Sequence, residues 1–350
     1  MKKTFEFGIW GQFGFGQVAD GQAVRTRIIT NELINRYGKD KIKILSTYKW
    51  KARPFRFLFN SWALVSDSKS IIMFPADNGF RVFVPILRLF NFIYRRKIYY
   101  VVIGGFLTEL LRKKKHYLFA LKKYQGIFVQ TNNMKNELLA MGLKHVFVIG
   151  NIKRLTAINT DELILNNEPE VAFCLLSRVT EQKGIIEAIE AIKIANGILK
   201  GNKIHLDIFG IIDPGFSDIF ANLLKENISF VSYKGIIDFD KTVESIKTYF
   251  ALIFPTYYHG EGFPGNFLDA FYAGLPIIAT NWRYNSEILL NNVNGILVPV
   301  KDVQSLSVAI LDLYFDREKV LVIRKNNLRE SLKYDPDIIL NEFYTCIEGK

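Results

Sequence analysis

Short apolar-rich runs alternate along this chain with longer stretches in which apolar residues recur at helical spacing. The runs Phe5–Trp10, Ile42–Leu45, Ile71–Phe74, Ile98–Ile103, Gly126–Gln130 and Val146–Ile149 are brief and rich in β-branched and aromatic residues. That pattern predicts strands. Gly11–Gly21 reads as a glycine-rich loop, and Ala23–Tyr37 and Asn132–Met141 as helices. At Gly150-Asn151 the alternation stops, and a polar stretch runs to Pro169. A second series of strands follows at Val171–Leu176, Ile204–Phe209, Ile228–Tyr233, Ala251–Phe254, Pro276–Ala279 and Gly295–Val298. Helices are expected among them at Gly184–Asn196 and Asn266–Ala273, and Pro336–Ile347 reads as a last amphipathic helix.

Strands without polar alternation are buried on both faces, which points to parallel sheets wrapped by helices. The fold class expected is therefore α/β, two doubly wound Rossmann-like domains in tandem facing across a cleft. Residues 1–151 form the first and 152–333 the second, and residues 334–350 form a carboxyl-terminal helix expected to return to the first. In open sheets of this kind ligands gather at the carboxyl ends of the strands. The chemistry is to be sought just after them.

Charge divides the chain as the hydrophobic pattern does. Residues 1–150 hold 26 Lys and Arg against 8 Asp and Glu, a net of +18, which leaves −6 for the remainder of a chain whose total is +12. The first half is thus expected to face something anionic. Its basic residues cluster with aromatics at Lys49–Phe59, at Arg88–Lys97, and at Arg112–Lys115 with Lys122-Lys123-Tyr124. Such clusters suit an anionic membrane surface, and they also suit ordinary solvated helix faces. Nucleic acid, which calls for a basic groove with stacking aromatics, is not expected. The most apolar segment, Phe80–Leu107, is interrupted by Arg88, Arg95, Arg96 and Lys97, so no spanning helix is predicted. The first residues do not read as a secretory leader. Cys174 and Cys346 lack metal-ligand spacing and read as free thiols of a reducing compartment.

The richest segment follows the strand Ala251–Phe254. It runs Pro255-Thr-Tyr-Tyr-His-Gly-Glu261-Gly262-Phe263-Pro264-Gly265-Asn266-Phe267-Leu-Asp269. Gly262 and Gly265 leave backbone N–H groups unshielded where a helix starts, an arrangement suited to phosphate. A carboxylate beside such a site needs a task, such as holding sugar or ribose hydroxyls. A capped helix after a turn is the plainer reading. A second segment, Leu176-Ser177-Arg178-Val-Thr-Glu-Gln-Lys183-Gly184, sets Arg178 and Lys183 on one strand-to-helix loop. Two cations there can converge on a diphosphate that gains negative charge as it leaves.

Together these segments resemble the retaining GT-B glycosyltransferases, specifically the large family-four group (glycosyl transferases group 1) that includes capsule and lipopolysaccharide enzymes. The first resembles that group's E-x7-E signature and the second its S/G-R-x4-K-G motif. Ala279–Glu287 and Asn294–Pro299 continue the likeness. The resemblance is specific over roughly residues 170–300 and looser before them. It implies that Glu261 contacts the transferred sugar, that Arg178 and Lys183 clamp the nucleotide diphosphate, and that Asp269 holds the ribose. Asp269 stands where Glu is usual, one methylene shorter. Backbone amides over Gly262–Phe267 would receive the phosphate, and Gly235 and Ile236 lie where that fold turns near the nucleotide base.

In the first half, Gly14 and Gly16 superficially resemble a dinucleotide fingerprint, but Ala19 stands in place of its last glycine. In the resembled fold this loop covers donor phosphate and acceptor, which makes Gly14 and Gly16 expected donor-side backbone contacts. Gly105 and Glu109 are weaker acceptor-side expectations, in a region where many relatives carry a histidine and this chain has Gly104-Gly105. His116, among Arg112–Lys115, reads as a surface residue. Asp238-Phe239-Asp240 has D-x-D spacing but falls at the base-side turn, so no metal site and no resident cofactor are expected. The overall expectation is a metal-independent retaining transferase, cytoplasmic and peripheral on the inner face of the membrane. It would use a UDP- or GDP-sugar and a glycan or lipid-linked acceptor in surface polysaccharide biosynthesis. A non-catalytic partner or glycan-binding protein of the same fold, or a sugar-nucleotide epimerase, are the alternatives.

Overall fold

Runs too apolar to alternate become strands covered on both faces. In the computed structural model, which describes residues 4–14, 21–163 and 167–349, the strands group into two six-stranded sheets. The chain divides into two units, residues 1–154 with 336–350, and residues 155–335.

In unit 1 the strands are β1 (Phe5–Gly11), β2 (Ile42–Ser46), β3 (Ser68–Met73), β4 (Lys97–Val101), β5 (Gly126–Val129) and β6 (Val146–Val148). They pair in parallel in the order β2-β1-β3-β4-β5-β6. Their helices are α1 (Gly21–Tyr37), α2 (Pro54–Asp67), α3 (Asp77–Tyr94), α4 (Leu107–Lys113), α5 (Lys115–Leu121) and α6 (Asn132–Ala140). From β1 the chain steps to β2 at one edge, then crosses back to β3 and onward to β4. Right-handed crossovers in opposite directions put α1 on one face of the sheet and α2 and α3 together on the other.

Packing follows that division. Phe7 and Ile9 of β1 join Ile28, Ile29 and Leu33 of α1 in one core. On the other face Trp10 meets Phe57 of α2 and Phe83 of α3, ring centroids 5.8 and 5.6 Å away, while Phe57 and Phe83 stand 5.3 Å apart. Gly8 keeps that face flat, since a Cβ there would sit 2.6 Å from the Ser68 hydroxyl.

Unit 2 holds β7 (Val171–Leu176), β8 (Ile204–Phe209), β9 (Val231–Tyr233), β10 (Ala251–Phe254), β11 (Ile277–Thr280) and β12 (Gly295–Val298). Its helices are α7 (Ile185–Ile198), α8 (Ser217–Glu226), α9 (Thr242–Ile246), α10 (Gly265–Tyr272), α11 (Asn285–Ile288), α12 (Val303–Phe315) and α13 (Arg317–Ser331). All pairings are parallel, in the order β12-β11-β10-β7-β8-β9. β9 begins later than its apolar run suggested, because Phe230 and Val231 donate their amides to the Asn227 carbonyl in a tight turn that leaves Ile228 in solvent.

The chain ends in unit 1 with α14 (Pro336–Ile339) and α15 (Asn341–Glu348). The single helix expected over these residues is interrupted at Leu340, although the Leu340 amide still bonds to Pro336 and its carbonyl to Tyr344. Phe343 meets Phe128 at 4.8 Å, and Glu348 accepts from both Arg36 and Tyr37. Arg154 forks onto Glu32 at 3.0 and 2.9 Å.

Candidate active site

The order of the second sheet decides where its ligand site lies. From β7 the chain moves through β8 and β9 to one edge; β10 returns beside β7, and β11 and β12 run to the other edge. The loops after β7 and β10 therefore diverge, leaving a crevice at the carboxyl ends of two adjacent central strands. The two motifs singled out in the sequence are these two loops.

Their side chains meet. Lys183, at the end of the turn Glu181–Lys183, donates from Nζ to Glu261 Oε1, although the residues are separated by 78 positions. The same carboxylate oxygen accepts from Thr256 Oγ1 at 3.1 Å. Glu261 and Thr256 are both buried. The Lys183 ammonium lies 5.4 Å from the Phe254 ring centroid and 5.0 Å from that of Tyr258, so two aromatic faces line its charge. A buried carboxylate is costly alone and tolerable with a cation and a hydroxyl on it.

The backbone explains why the lysine reaches. Gly184, with φ +74°, closes the turn after Lys183 and opens α7. A Cβ there would fall 2.3 Å from the Pro255 carbonyl oxygen, so only glycine lets the two loops approach. Tyr257 donates its amide to the Gln182 carbonyl at 2.9 Å, Asn266 Nδ2 donates to the Leu176 carbonyl, and Thr280 Oγ1 to the Thr256 carbonyl. These bonds fasten the loop after β10 to the strands on either side of it.

Helix α10 starts at Gly265, with Pro264 at its N-cap. The amides of Gly265 and Asn266 lie in the first turn, where no intrahelical carbonyl reaches them. The Phe267 amide, expected among the phosphate donors, is already given to the Pro264 carbonyl at 3.2 Å. The Phe267 ring is buried against Phe254, centroids 5.2 Å apart, so its role here is packing. Gly262 and Phe263 form the bend before the helix, and Phe263 is buried against Tyr334. Burial and the neighbouring Glu330 hold the Tyr334 phenol above its ordinary value, so it stays a neutral support under α10. Asp269 is buried within α10.

The other expected positions of unit 2 differ from the Lys183–Glu261 pair in exposure and in partners. The Arg178 side chain is exposed, on the loop after β7, with no ion-pair or hydrogen-bond partner among the described residues. Gly235, at φ +80°, accepts at its carbonyl from the Gly210 amide at 2.8 Å, and Ile236 beside it is exposed. Asp238 faces Lys241 at 4.0 Å. Among the described residues no group of three or more His, Cys, Asp and Glu side chains is placed to hold a metal ion.

In unit 1, Gly14 has φ +68° in the loop after β1, while Gly16 lies outside the described residues. Gly105 is buried after β4. Glu109 pairs with Lys113 one turn along α4 at 2.7 Å, an ordinary helix-surface contact. His116 is exposed beside the Tyr117 ring.

Sequence reasoning missed Thr256, Gln182 and Thr280. A polar residue directly after a fully apolar strand, as in Phe254-Pro255-Thr256, was the available signal for the first. Asn294, noted only as part of a motif, accepts from the Leu290 amide at 2.7 Å and donates to the Ile288 carbonyl at 3.3 Å. It shapes a turn rather than a ligand contact.

The chain is similar to known proteins at the level of family and fold. Residues 157–330, within unit 2, match the family model described as Glycosyl transferases group 1. An uncharacterized glycosyltransferase of Methanocaldococcus jannaschii is 25% identical over 228 residues, covering 63% of this chain. This chain spans about half the length of that curated relative, 53%. Two solved structures share the fold across nearly the whole chain. HepE of Anabaena, in complex with UDP and glucose, gives a TM-score of 0.73 at 14% identity, covering 99% of this chain and 100% of its own. Sucrose-phosphate synthase of Thermosynechococcus elongatus gives 0.74 at 14% identity, covering 99% and 98%. The two-sheet α/β architecture is thus the GT-B fold.

Proposed function

We propose that the protein is a retaining glycosyltransferase of the family-four type, transferring a sugar from a nucleotide diphosphate donor. The observation that carries this is the Lys183–Glu261 pair, set at the point where the strand order of the second sheet reverses. A cation suited to a diphosphate and a carboxylate suited to sugar hydroxyls there share one crevice. UDP is the diphosphate we favour over GDP, because the HepE structure of the same fold is a complex with UDP and glucose.

In the reaction the bond between the sugar's anomeric carbon and the β-phosphate oxygen breaks. The acceptor hydroxyl attacks the same face, and its proton passes to the departing phosphate oxygen. Lys183 and Arg178 stabilise the charge that grows on the diphosphate, together with the first-turn amides of Gly265 and Asn266. Glu261 orients the sugar, and Asp269 takes the ribose hydroxyls. Before donor arrives, the ammonium of Lys183 neutralises Glu261. On binding it turns to the phosphate, and the freed carboxylate meets the sugar. No metal is required where two cations and a helix terminus do the neutralising. The acceptor is a glycan or lipid-linked saccharide of surface polysaccharide assembly, met at the inner face of the cytoplasmic membrane. Gly14 of unit 1 is a donor-side backbone contact in this reading, and Gly105 and Glu109 are the acceptor-side positions.

A thermal-shift panel of nucleoside diphosphates and sugar nucleotides tests it. UDP or GDP, and a sugar carrying one of them, are expected to raise the melting midpoint, and Arg178→Ala to remove most of that rise. A well-folded sample that responds to none of them would instead support a non-catalytic glycan-binding role.

A further inference from the structure

Helices α2 and α3 lie side by side on one face of the first sheet, and each is apolar on two sides. The inner stripes, Phe57, Ser61, Leu64 and Val65 on α2 and Phe80, Phe83, Val84 and Leu87 on α3, are buried against the sheet. The outer stripes point away from it. On α2 the outer positions are Phe55, Leu58, Phe59 and Trp62, spaced i, i+3, i+4, i+7; on α3 they include Leu89, Phe92 and Ile93. Phe55 is 86% exposed, Phe59 64%, Leu89 68%, Phe92 84% and Ile93 69%. The stripes join through Trp62, whose ring lies 5.8 Å from Phe59 on its own helix and 6.5 Å from Tyr94 at the end of α3. Single exposed apolar residues are ordinary; a continuous set of this size marks a surface that meets something.

The charges around it say what. Arg53, Arg56, Arg88 and Arg95 are exposed on the same two helices and at their ends. Between Lys41 and Thr108 the chain has two acidic residues, Asp67 and Asp77. Both are engaged, Asp67 with Lys43 and Asp77 with Arg81, each at 2.8 Å. The face therefore presents aromatic and aliphatic tips among unneutralised guanidinium groups. Guanidinium groups find phosphate at the level of lipid head groups, where aromatic and aliphatic tips can settle into the acyl boundary. A second copy of this chain fits poorly, since a two-fold contact would press these arginines against their own copies. Nor do the helices cross a bilayer, since no helix among the described residues is long and apolar enough. Their inner stripes hold them to the sheet.

We infer that the outer face of α2 and α3 is a docking surface for anionic lipid bilayers. Phe55, Phe59, Leu89, Phe92 and Ile93 insert, and Arg53, Arg56, Arg88 and Arg95 hold the head groups. This rests on the membrane-facing part of the proposed function and not on the transfer reaction.

The test is flotation of the full chain with vesicles of phosphatidylcholine, with and without phosphatidylglycerol. Two variants are compared, F55S/F92S and R53Q/R56Q/R88Q/R95Q, each checked for an unchanged melting midpoint and for its response to UDP. Wild type is expected to float with the phosphatidylglycerol vesicles and lose binding as salt rises, and each variant to bind about tenfold more weakly or less. Equal flotation of wild type and both variants would overturn the assignment. So would flotation indifferent to phosphatidylglycerol, or a concentration-dependent dimer that both variants abolish. Single-stranded RNA held as tightly as the vesicles, and lost with the same arginines, would overturn it too. Vesicle binding without a UDP response would leave this surface standing while removing the donor-site reading.

Discussion

Charge is used in opposite ways at the crevice of the second sheet and on the α2–α3 face of the first. At the crevice a half-buried cation meets a buried anion, with Thr256 on the carboxylate and two aromatic rings around the ammonium. On the α2–α3 face several cations of one sign stand exposed among apolar tips. Geometry governs the first, because a buried ion pair is stable only in nearly the arrangement it has. Number governs the second, because exposed like charges add their attraction to a distant surface without needing fixed partners. Substitutions should accordingly act steeply and singly in one region, and gradually and collectively in the other.

The largest effect is expected at the pair itself. Glu261→Gln keeps the shape and removes the charge, leaving the Lys183 ammonium without its partner. Loss of one such electrostatic group in an enzyme site costs about 10²–10³ in rate. We expect transfer to fall by that order while the nucleoside diphosphate still binds. Lys183→Met is expected to be worse, since it strands a buried carboxylate at about 3–5 kcal/mol, and should lower both the melting midpoint and diphosphate affinity. If both variants transfer sugar at the wild-type rate, the pair is structural and the crevice is not the reacting centre.

Next comes the backbone that lets the two loops touch. Gly184→Ala sets a methyl against the Pro255 carbonyl and forces φ +74° on a residue with a side chain. We expect a loss of roughly 2–3 kcal/mol in chemical denaturation, with activity falling further than stability explains because Lys183 is displaced. A stable, active Gly184→Ala protein would mean the loops need not meet as described. The α2–α3 substitutions make the contrasting case. Removing Phe55 and Phe92 is expected to leave transfer to a short soluble acceptor within twofold of wild type and to affect only work at a vesicle surface.

Much of this was legible in the sequence, for identifiable reasons. Strands such as Val171–Leu176 and Ala251–Phe254 are short, apolar throughout and flanked by polar breaks, so their existence and limits could be read directly. Their order could not. Nothing in the periodicity of β7 and β10 says that they are neighbours, and that adjacency is what brings Lys183 to Glu261. Helices α2 and α3 were obscured for another reason: with Phe55, Phe59, Phe92 and Ile93 outward, their apolar residues fill both sides and blur the helical period. What hid the helices is the same feature that makes their outer face a surface. Gln182 was unreadable because its contact with Thr256 joins segments 74 residues apart.

The smallest expected effect sharpens the comparison most, because Arg178 lies in the crevice unit yet resembles the other region in being exposed and unpartnered among the described residues. If its guanidinium waits for a ligand, Arg178→Ala removes nothing that the empty protein uses. A surface substitution of that kind moves folding stability by about 0.5 kcal/mol or less. Without nucleotide, the melting midpoint of Arg178→Ala should therefore match wild type, whereas that of Lys183→Met should not. With UDP present the order of effects changes: Arg178→Ala should lose most of the stabilisation that wild type gains, since a charge-assisted fork onto phosphate is made only in the complex. An Arg178→Ala protein that is less stable without nucleotide and unchanged in its response to UDP would reverse the assignment. It would make Arg178 a structural residue and leave the diphosphate to Lys183 and the first turn of α10.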